Sequence, residues 1–157
     1  MERTLVFLKP DAVSRRLVGE VISRFEQKGF CIVGLKMLQL GEEFVRRHYA
    51  VHEGKDFYEP LVRYVASGPI VAMVLEGKDA VAVVRRMMGE TFGGASPPGT
   101  IRGDLAVSNR FNLVHGSDAP EAAEAEIARF FDPAELIDWQ PDDIEQIYDF
   151  SEGGEPV

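Results

Sequence analysis

The sequence predicts an α/β (α+β) fold of the ferredoxin-like type: a βαββαβ sandwich with a four-stranded antiparallel sheet and covering helices. Bulky apolar runs bounded by turn residues recur at Thr4–Leu8, Phe30–Leu40, Ile70–Glu76 and Asn112–His115, as strands do. Amphipathic helical stripes follow the first and third runs. Once two short helical insertions are set aside, the order is strand, helix, strand, strand, helix, strand. A chain of 157 residues, 45% hydrophobic and 27% charged, suits one such domain. The expected domain covers 1–150, and 151–157 is expected to be a flexible tail.

The first strand breaks at Lys9-Pro10-Asp11, which reads as a turn. Val18, Val21, Ile22 and Phe25 fall at i, i+3, i+4 and i+7, the stripe of a helix, and Gly29 stands at its C-terminal end. Phe30–Leu40 is the second strand. Glu42–Tyr49 and Pro60–Ala66 read as short helices joined by a loop with His52, Gly54 and Phe57. Ser67-Gly68-Pro69 is turn chemistry, and Ile70–Glu76 is the third strand, ended by Gly77. Ala80, Val81, Val84, Met87 and Met88 give the next stripe, stopped near Gly89. Thr91–Gly103 holds four glycines and two prolines and reads as a long loop, of a length that is usually functional or disordered. Asp118-Ala-Pro-Glu121 predicts a helix start with Asp118 as N-cap, and Ile127, Phe130 and Phe131 supply the apolar face.

Seventeen Lys and Arg against twenty-six Asp and Glu leave a net charge of -9. Without a basic run, such a chain is poorly suited to nucleic acid or to an anionic membrane. A phosphate ligand would need a local cationic pocket. The single cysteine, Cys31, excludes an internal disulfide and a multi-cysteine metal site, and its apolar setting predicts a buried structural thiol. There is no signal-peptide pattern, and the longest apolar run, Ile70–Leu75, is far short of a membrane span. A soluble cytoplasmic protein is the expectation.

Of the three histidines, His48 sits among Arg46, Arg47 and Tyr49 on a helix, where a structural role is expected; His52 is ambiguous. His115 ends a strand, a Gly-Ser-Asp turn follows, and Glu126 lies two turns along the next helix. A carboxylate so placed can hold one tautomer of a nucleophilic or acid–base histidine. Lys9 follows the first strand, and Pro10 biases it to an extended backbone. Of Arg85 and Arg86, one is expected in solvent and the other in a cleft. Arg102, with Gly99 and Gly103 on either side in the long loop, suits bidentate phosphate binding, with Thr91 and Asn112 as polar donors. Together these residues point to phosphoryl chemistry. The Gly-x-x-x-x-Gly-Lys-Ser/Thr loop and the protein-kinase signatures are both missing, so side chains must build the phosphate site.

Glu2-Arg3-Thr4, Lys9-Pro10-Asp11-Ala12-Val13, Gly19-Glu20, Arg24-Phe25-Glu26, Gly68-Pro69, Met73-Val74-Leu75-Glu76-Gly77, Pro98-Gly99-Thr100-Ile101-Arg102-Gly103-Asp104 and His115-Gly116-Ser117-Asp118 resemble the nucleoside diphosphate kinase family. The resemblance runs from about residue 2 to 139, and Asn112–Asp118 resembles the family's active-site signature. It implies ping-pong transfer of the γ-phosphate of a nucleoside triphosphate, typically ATP, to a nucleoside diphosphate through a phosphohistidine, which maintains NTP and dNTP pools. By the same resemblance His115 is the nucleophile. Lys9, Arg85, Arg102 and Thr91 hold phosphates, Asn112 contacts the ribose region and Phe57 stacks on the base. Tyr49 lies near the histidine, Glu126 orients it, and Ser117 and Asp118 stand behind. Mg2+ is the implied cofactor, held mainly by the nucleotide phosphates, with Asp118 as the one candidate protein ligand. The implied assembly is a homo-oligomer built from dimers, a hexamer or less often a tetramer.

The residues agree with that chemistry. Phosphoryl transfer asks mainly for positioning and charge stabilisation. Stacking on one aromatic reads no hydrogen-bond pattern, so low base discrimination is expected. One departure stands out: where the family usually has Asn or Asp and then Pro after the threonine, this chain has Phe92-Gly93-Gly94. That puts loop rigidity and assembly strength in question, not the chemistry. The alternative reading is a non-catalytic nucleotide-binding or interaction module of the same fold.

Overall fold

The computed structural model describes residues 1–154 and 156–157; Glu155, in the expected tail, lies outside the described residues. Strands β1 (Glu2–Leu8), β2 (Cys31–Gln39), β3 (Pro69–Gly77) and β4 (Val114–Gly116) form one sheet in the order β2-β3-β1-β4. All neighbouring pairs are antiparallel, with Glu2 opposite Gly77 and Leu8 opposite Val71 in the central pair. This is the predicted ferredoxin-like sheet.

β1 and β3 read as unbroken apolar runs because both faces of the sheet are covered. Val6 and Leu8 of β1, with Val71, Met73 and Leu75 of β3, join one core under α2 (Val18–Gln27) and α5 (Ala80–Met88). Leu5 and Phe7, with Ile70, Ala72 and Val74, join the other core, under α3 (Glu42–His48), α4 (Tyr58–Ala66) and α7 (Pro120–Phe130). Each large side chain fully buried here contributes roughly 1.5–3 kcal/mol. α2 buries Val21 and Phe25 and is followed by Gly29 at φ +99°. A Cβ on Gly29 would also lie 2.5 Å from Ile147, because the short helix α8 (Ile144–Ile147) packs there. Tyr148 Oη donates to the Gly29 carbonyl at 3.1 Å, and Phe150 bridges to Pro156.

The structure differs from the sequence expectations at five places. Lys9-Pro10-Asp11 opens a helix, α1 (Pro10–Ser14), in which Pro10 occupies the first turn, where its missing N–H has no partner to lose. The long loop after Thr91 contains a 3₁₀ turn at Gly93–Ala95 and closes early in α6 (Ile101–Leu105), whose Thr100 hydroxyl accepts from Gly103 N at 3.0 Å. The fourth strand starts at Val114, because Leu113 at φ +70° leaves the extended region. Asp118 does not cap α7: Ala119 is the N-cap, without a side-chain bond, and the Asp118 carboxylate pairs with Arg85. Cys31 is half-buried rather than buried, its Sγ 3.9 Å from the Trp139 carbonyl. Among the described residues, no helix is long and apolar enough to cross a membrane.

Candidate active site

The site forms where β4 meets the start of α1 and the face of α7 that carries Glu126. Phe7 sits opposite His115 in the β1–β4 ladder, and the two rings stack with centroids 4.7 Å apart. That register fixes the imidazole on one face of the sheet. Leu113, two residues earlier, is fully buried at φ +70°, a conformation that branched and bulky residues rarely adopt. Its carbonyl accepts from Lys9 N at 2.8 Å, and its N–H donates to Asp11 Oδ2 at 3.1 Å. The other oxygen of the Asp11 carboxylate takes the Tyr64 hydroxyl. α1 therefore clamps the turn that delivers Asn112 and His115.

His115 Nε2 lies 3.1 Å from Glu126 Oε2, and the same oxygen accepts from Ser117 Oγ at 2.6 Å. Burial alone would raise the Glu126 carboxyl. The bonds and charge of His115, with Ser117 and His48, outweigh it and bring Glu126 down to about 2. An ionised carboxylate only accepts, so His115 Nε2 carries the proton. In the neutral ring Nδ1 then keeps its lone pair, free for an incoming electrophile.

His48, for which the sequence reading expected a structural role, is buried against the histidine of the site. It is 8% exposed, its ring centroid is 4.7 Å from that of His115, and its Nε2 lies 3.9 Å from Glu126 Oε1. Arg129 Nη1 stands 3.2 Å from its Nδ1. Burial, reinforced by the charge of His115, pushes its pKa down to about 3, so the ring is neutral at physiological pH. His48 lies on α3, far from His115 in sequence, and no local pattern marked the pairing.

The cations approach the same space from other elements. Lys9 Nζ, 6% exposed, donates to Asn112 Oδ1 at 2.7 Å, and Asn112 Nδ2 donates to the Thr91 carbonyl at 2.8 Å. The Asn112 amide, expected at the ribose, is thus engaged at both ends with protein. Burial, with the charge of Arg102, lowers Lys9 to about 7 against the opposing pull of Asp11. Arg102 donates to the carbonyls of Asn112, Gly89 and Val114 at 3.1, 3.0 and 2.6 Å, which leaves two of its five N–H groups for a ligand. Burial, then Arg85, lowers Arg102 to about 10, so it stays charged.

These groups line a pocket of about 640 Å³. Arg85 reaches it from α5, paired with Asp118 at the mouth; Arg86 does not line it. Phe57, half-exposed, stands at the outer wall, with His52 at 5.3 Å between ring centroids and Thr91 also lining the pocket. Tyr49 is buried edge-on to His115, with centroids 5.8 Å apart, and its hydroxyl finds no partner among the described residues. Burial raises its pKa, so that hydroxyl remains a donor. Ser117 alone of the predicted residues does not line the pocket and acts from behind, on Glu126.

His48, His115 and Glu126 hold potential metal-ligand atoms within 4.8 Å of one another. His115 Nε2 is committed to Glu126, and His48 Nδ1 faces a guanidinium that only donates, so His48 Nε2 keeps its proton. The trio is ordered by protons, not arranged for a cation. Asp11 and the turn at Leu113 were also missed as site-building features; only the Lys9-Pro10-Asp11 motif hinted at them.

The family model for nucleoside diphosphate kinase matches residues 2–136. The chain is 53% identical over 139 residues to the nucleoside diphosphate kinase of Pelotomaculum thermopropionicum, covering 88% of this chain and 93% of that one. It is 54% identical over 141 residues to the Synechococcus elongatus protein of the same name, covering 90% and 95%. Among solved structures, a halophilic nucleoside diphosphate kinase from Halobacterium salinarum in complex with CDP superposes with a TM-score of 0.92 at 47% identity, covering 94% of this chain and 99% of that one.

Proposed function

This chain belongs to the nucleoside diphosphate kinase family and is an enzyme of that activity, exchanging the γ-phosphate between nucleoside tri- and diphosphates, and from that premise we propose that the phosphoryl group passes through Nδ1 of His115. The observation that carries this is the Glu126–His115 pair: with Nε2–H held by an ionised carboxylate, Nδ1 is the ring atom left to attack. As Nδ1 bonds to phosphorus and the leaving oxygen departs, positive charge grows on the ring, and Glu126 stabilises it. The phosphohistidine then gives the group to a bound diphosphate by the reverse steps.

The remaining roles follow from position. Arg102 offers its two unused N–H groups and Lys9 its two unused donors to phosphate oxygens. Arg85 joins them by exchanging the exposed Asp118 for phosphate. The unpartnered Tyr49 hydroxyl and Thr91 are further donors. Asn112 holds Lys9 in place for the phosphates and itself lies toward the ribose region. Phe57 is an exposed ring on which a base can stack, which reads no base identity. Of the two carboxylates lining the pocket, Glu126 is already engaged, so Asp118, once Arg85 turns to phosphate, is the carboxylate that could face Mg2+. This fits a cation held mainly by phosphates. Bound there, Mg2+ would neutralise phosphate charge.

The reading places the enzyme in the cytoplasm as a hexamer, with residues 1–150 as its domain and 151–157 as a tail. Leu35 and Met37 are exposed on the edge strand β2, and Phe92 is exposed on the loop, so apolar surface is left for a second copy. A Cβ on Gly93 would lie 2.4 Å from the Ala106 carbonyl oxygen, so the substituted loop needs glycine there in this conformation. Light scattering near six subunits is expected; four or two would assign the departure a role in assembly. Incubation with γ-labelled ATP tests the exchange. Acid-labile, alkali-stable label on His115 that GDP removes is expected, and His115→Ala should abolish it. Label on His48 or His52, or nucleotide binding without label, would overturn the assignment.

A further inference from the structure

We propose that Arg129 is a positioning residue of the exchange: its guanidinium sets the tautomer of His48, so that the His48 Nε2–H faces the free oxygen of Glu126. The proposal rests on the reading that Glu126 orients His115. Glu126 and Arg129 stand three residues apart on one face of α7, so both reach toward the sheet. Arg129 is exposed, yet its Nη1 comes within 3.2 Å of Nδ1 of a ring that is 8% exposed. A guanidinium only donates, so Nδ1 must accept and the proton of the neutral ring must sit on Nε2. That N–H has no hydrogen-bond partner among the described residues, and Glu126 Oε1 lies 3.9 Å away.

The ring of His48 has little room to turn elsewhere. Phe7, Tyr49, Phe130 and His115 meet it edge-on at centroid distances of 5.6, 4.6, 5.2 and 4.7 Å. Glu126 is therefore held on one oxygen by Ser117 and His115 and approached on the other by a donor fixed in direction. Catalytic hydrogen bonds that are long in a free enzyme commonly tighten in the loaded one. When charge develops on His115, a donor on Oε1 keeps the carboxylate from rotating Oε2 away from Nε2. In the opposite tautomer, the Nε2 lone pair of His48 would face the lone pairs of Oε1, and repulsion would favour that rotation. Arg129 donates to His48, the His48 Nε2–H faces Glu126, and Glu126 accepts from His115; in the loaded enzyme the carboxylate would accept from both histidines.

The test uses the full chain labelled with ¹⁵N-histidine, whose long-range ¹H–¹⁵N spectra distinguish the tautomers. The wild-type protein should show His48 with its proton on Nε2. Arg129→Leu should populate the Nδ1–H form and slow phosphohistidine formation by about tenfold, the size expected for a hydrogen bond to a charged group. KM for nucleotide should stay unchanged while kcat falls. Arg129→Lys keeps a donor and should restore most of the rate and the tautomer. In a His48→Gln background, Arg129→Leu should have no further effect. The Nε2–H form persisting in Arg129→Leu, or a wild-type rate in that variant, would overturn the proposal. So would an equal loss in the Lys variant or an additive loss in the His48→Gln background. Because Arg129 is exposed, its variants fold, and γ-labelling of His115 in them tests the nucleophile separately.

Discussion

Replacing Glu126 by Gln keeps the shape of the side chain and removes its charge, which isolates the electrostatic part of the histidine's activation. His115 Nε2 and Glu126 Oε2 are 3.1 Å apart. Two full charges about 4 Å apart attract by about 4 kcal/mol at an effective dielectric of about 20. The imidazole gains only part of a charge as Nδ1 attacks, so about 2–3 kcal/mol of transition-state stabilisation should vanish, or about 30- to 150-fold in rate. The amide also brings its own N–H donors to a position where Ser117 and His115 both donate, which favours the tautomer with the proton on Nδ1. Glu126 touches neither Lys9, Arg85 nor Arg102, so nucleotide affinity should stay within about twofold. Rapid-quench single turnover with γ-labelled ATP gives the phosphorylation rate, and titration calorimetry on the same variant gives the affinity. An unchanged single-turnover rate would refute the tautomer argument. A loss confined to affinity would move Glu126 from the histidine to the nucleotide.

Three further outcomes follow from the buried groups. Lys9 is held near 7 in the free enzyme and phosphate favours its charged form, so nucleotide binding at pH 8 should take up a proton, read by calorimetry in buffers of different ionisation heat; binding without uptake would place Lys9 away from the phosphates. His48 is held at about 3 against an ordinary 6.5, so the unfolded chain binds a proton that the folded one refuses, and stability should fall as pH drops from 6.5 toward 3, by up to about 5 kcal/mol. Glu126, lowered from 4.5 to about 2, adds a second loss only below 4.5, so His48→Gln should flatten the upper part of a urea-midpoint profile and leave the lower part. Asp11→Ala leaves the Tyr64 hydroxyl and the Leu113 N–H buried without a partner, which should cost about 2–4 kcal/mol in urea unfolding and lower kcat, since Leu113 leads into His115; a loss below about 1 kcal/mol would show that the left-handed turn stands without the clamp.

Much of the molecule was legible in the sequence, because local rules govern it. Strand and helix patterns report burial along a single element, so β1, β2 and β3 could be read from apolar runs, and α2 and α5 from periodicity. The motifs around Lys9, Arg102 and His115 are short and contiguous, so the expected phosphate-binding groups and the expected nucleophile could be read from one family's pattern. What misled was competition between local signals and distant partners. Pro10 signals a turn and also a first helical position, and nothing nearby shows that Asp11 would cross to Leu113 to make the second choice pay. Asp118 has the type and place of an N-cap, yet a guanidinium from α5 is a stronger partner for a carboxylate than a backbone amide. His48 has no sequence neighbour that marks it. Its burial, its neutral state and its approach to Glu126 exist only once α3 packs across the sheet face that carries Phe7 and His115. Residue types and their spacing determined which chemistry this chain carries. The tertiary structure alone decided which lone pairs and protons face one another, because hydrogen bonds act over about 3 Å, and those of this site join residues as far apart in sequence as Lys9 and Asn112.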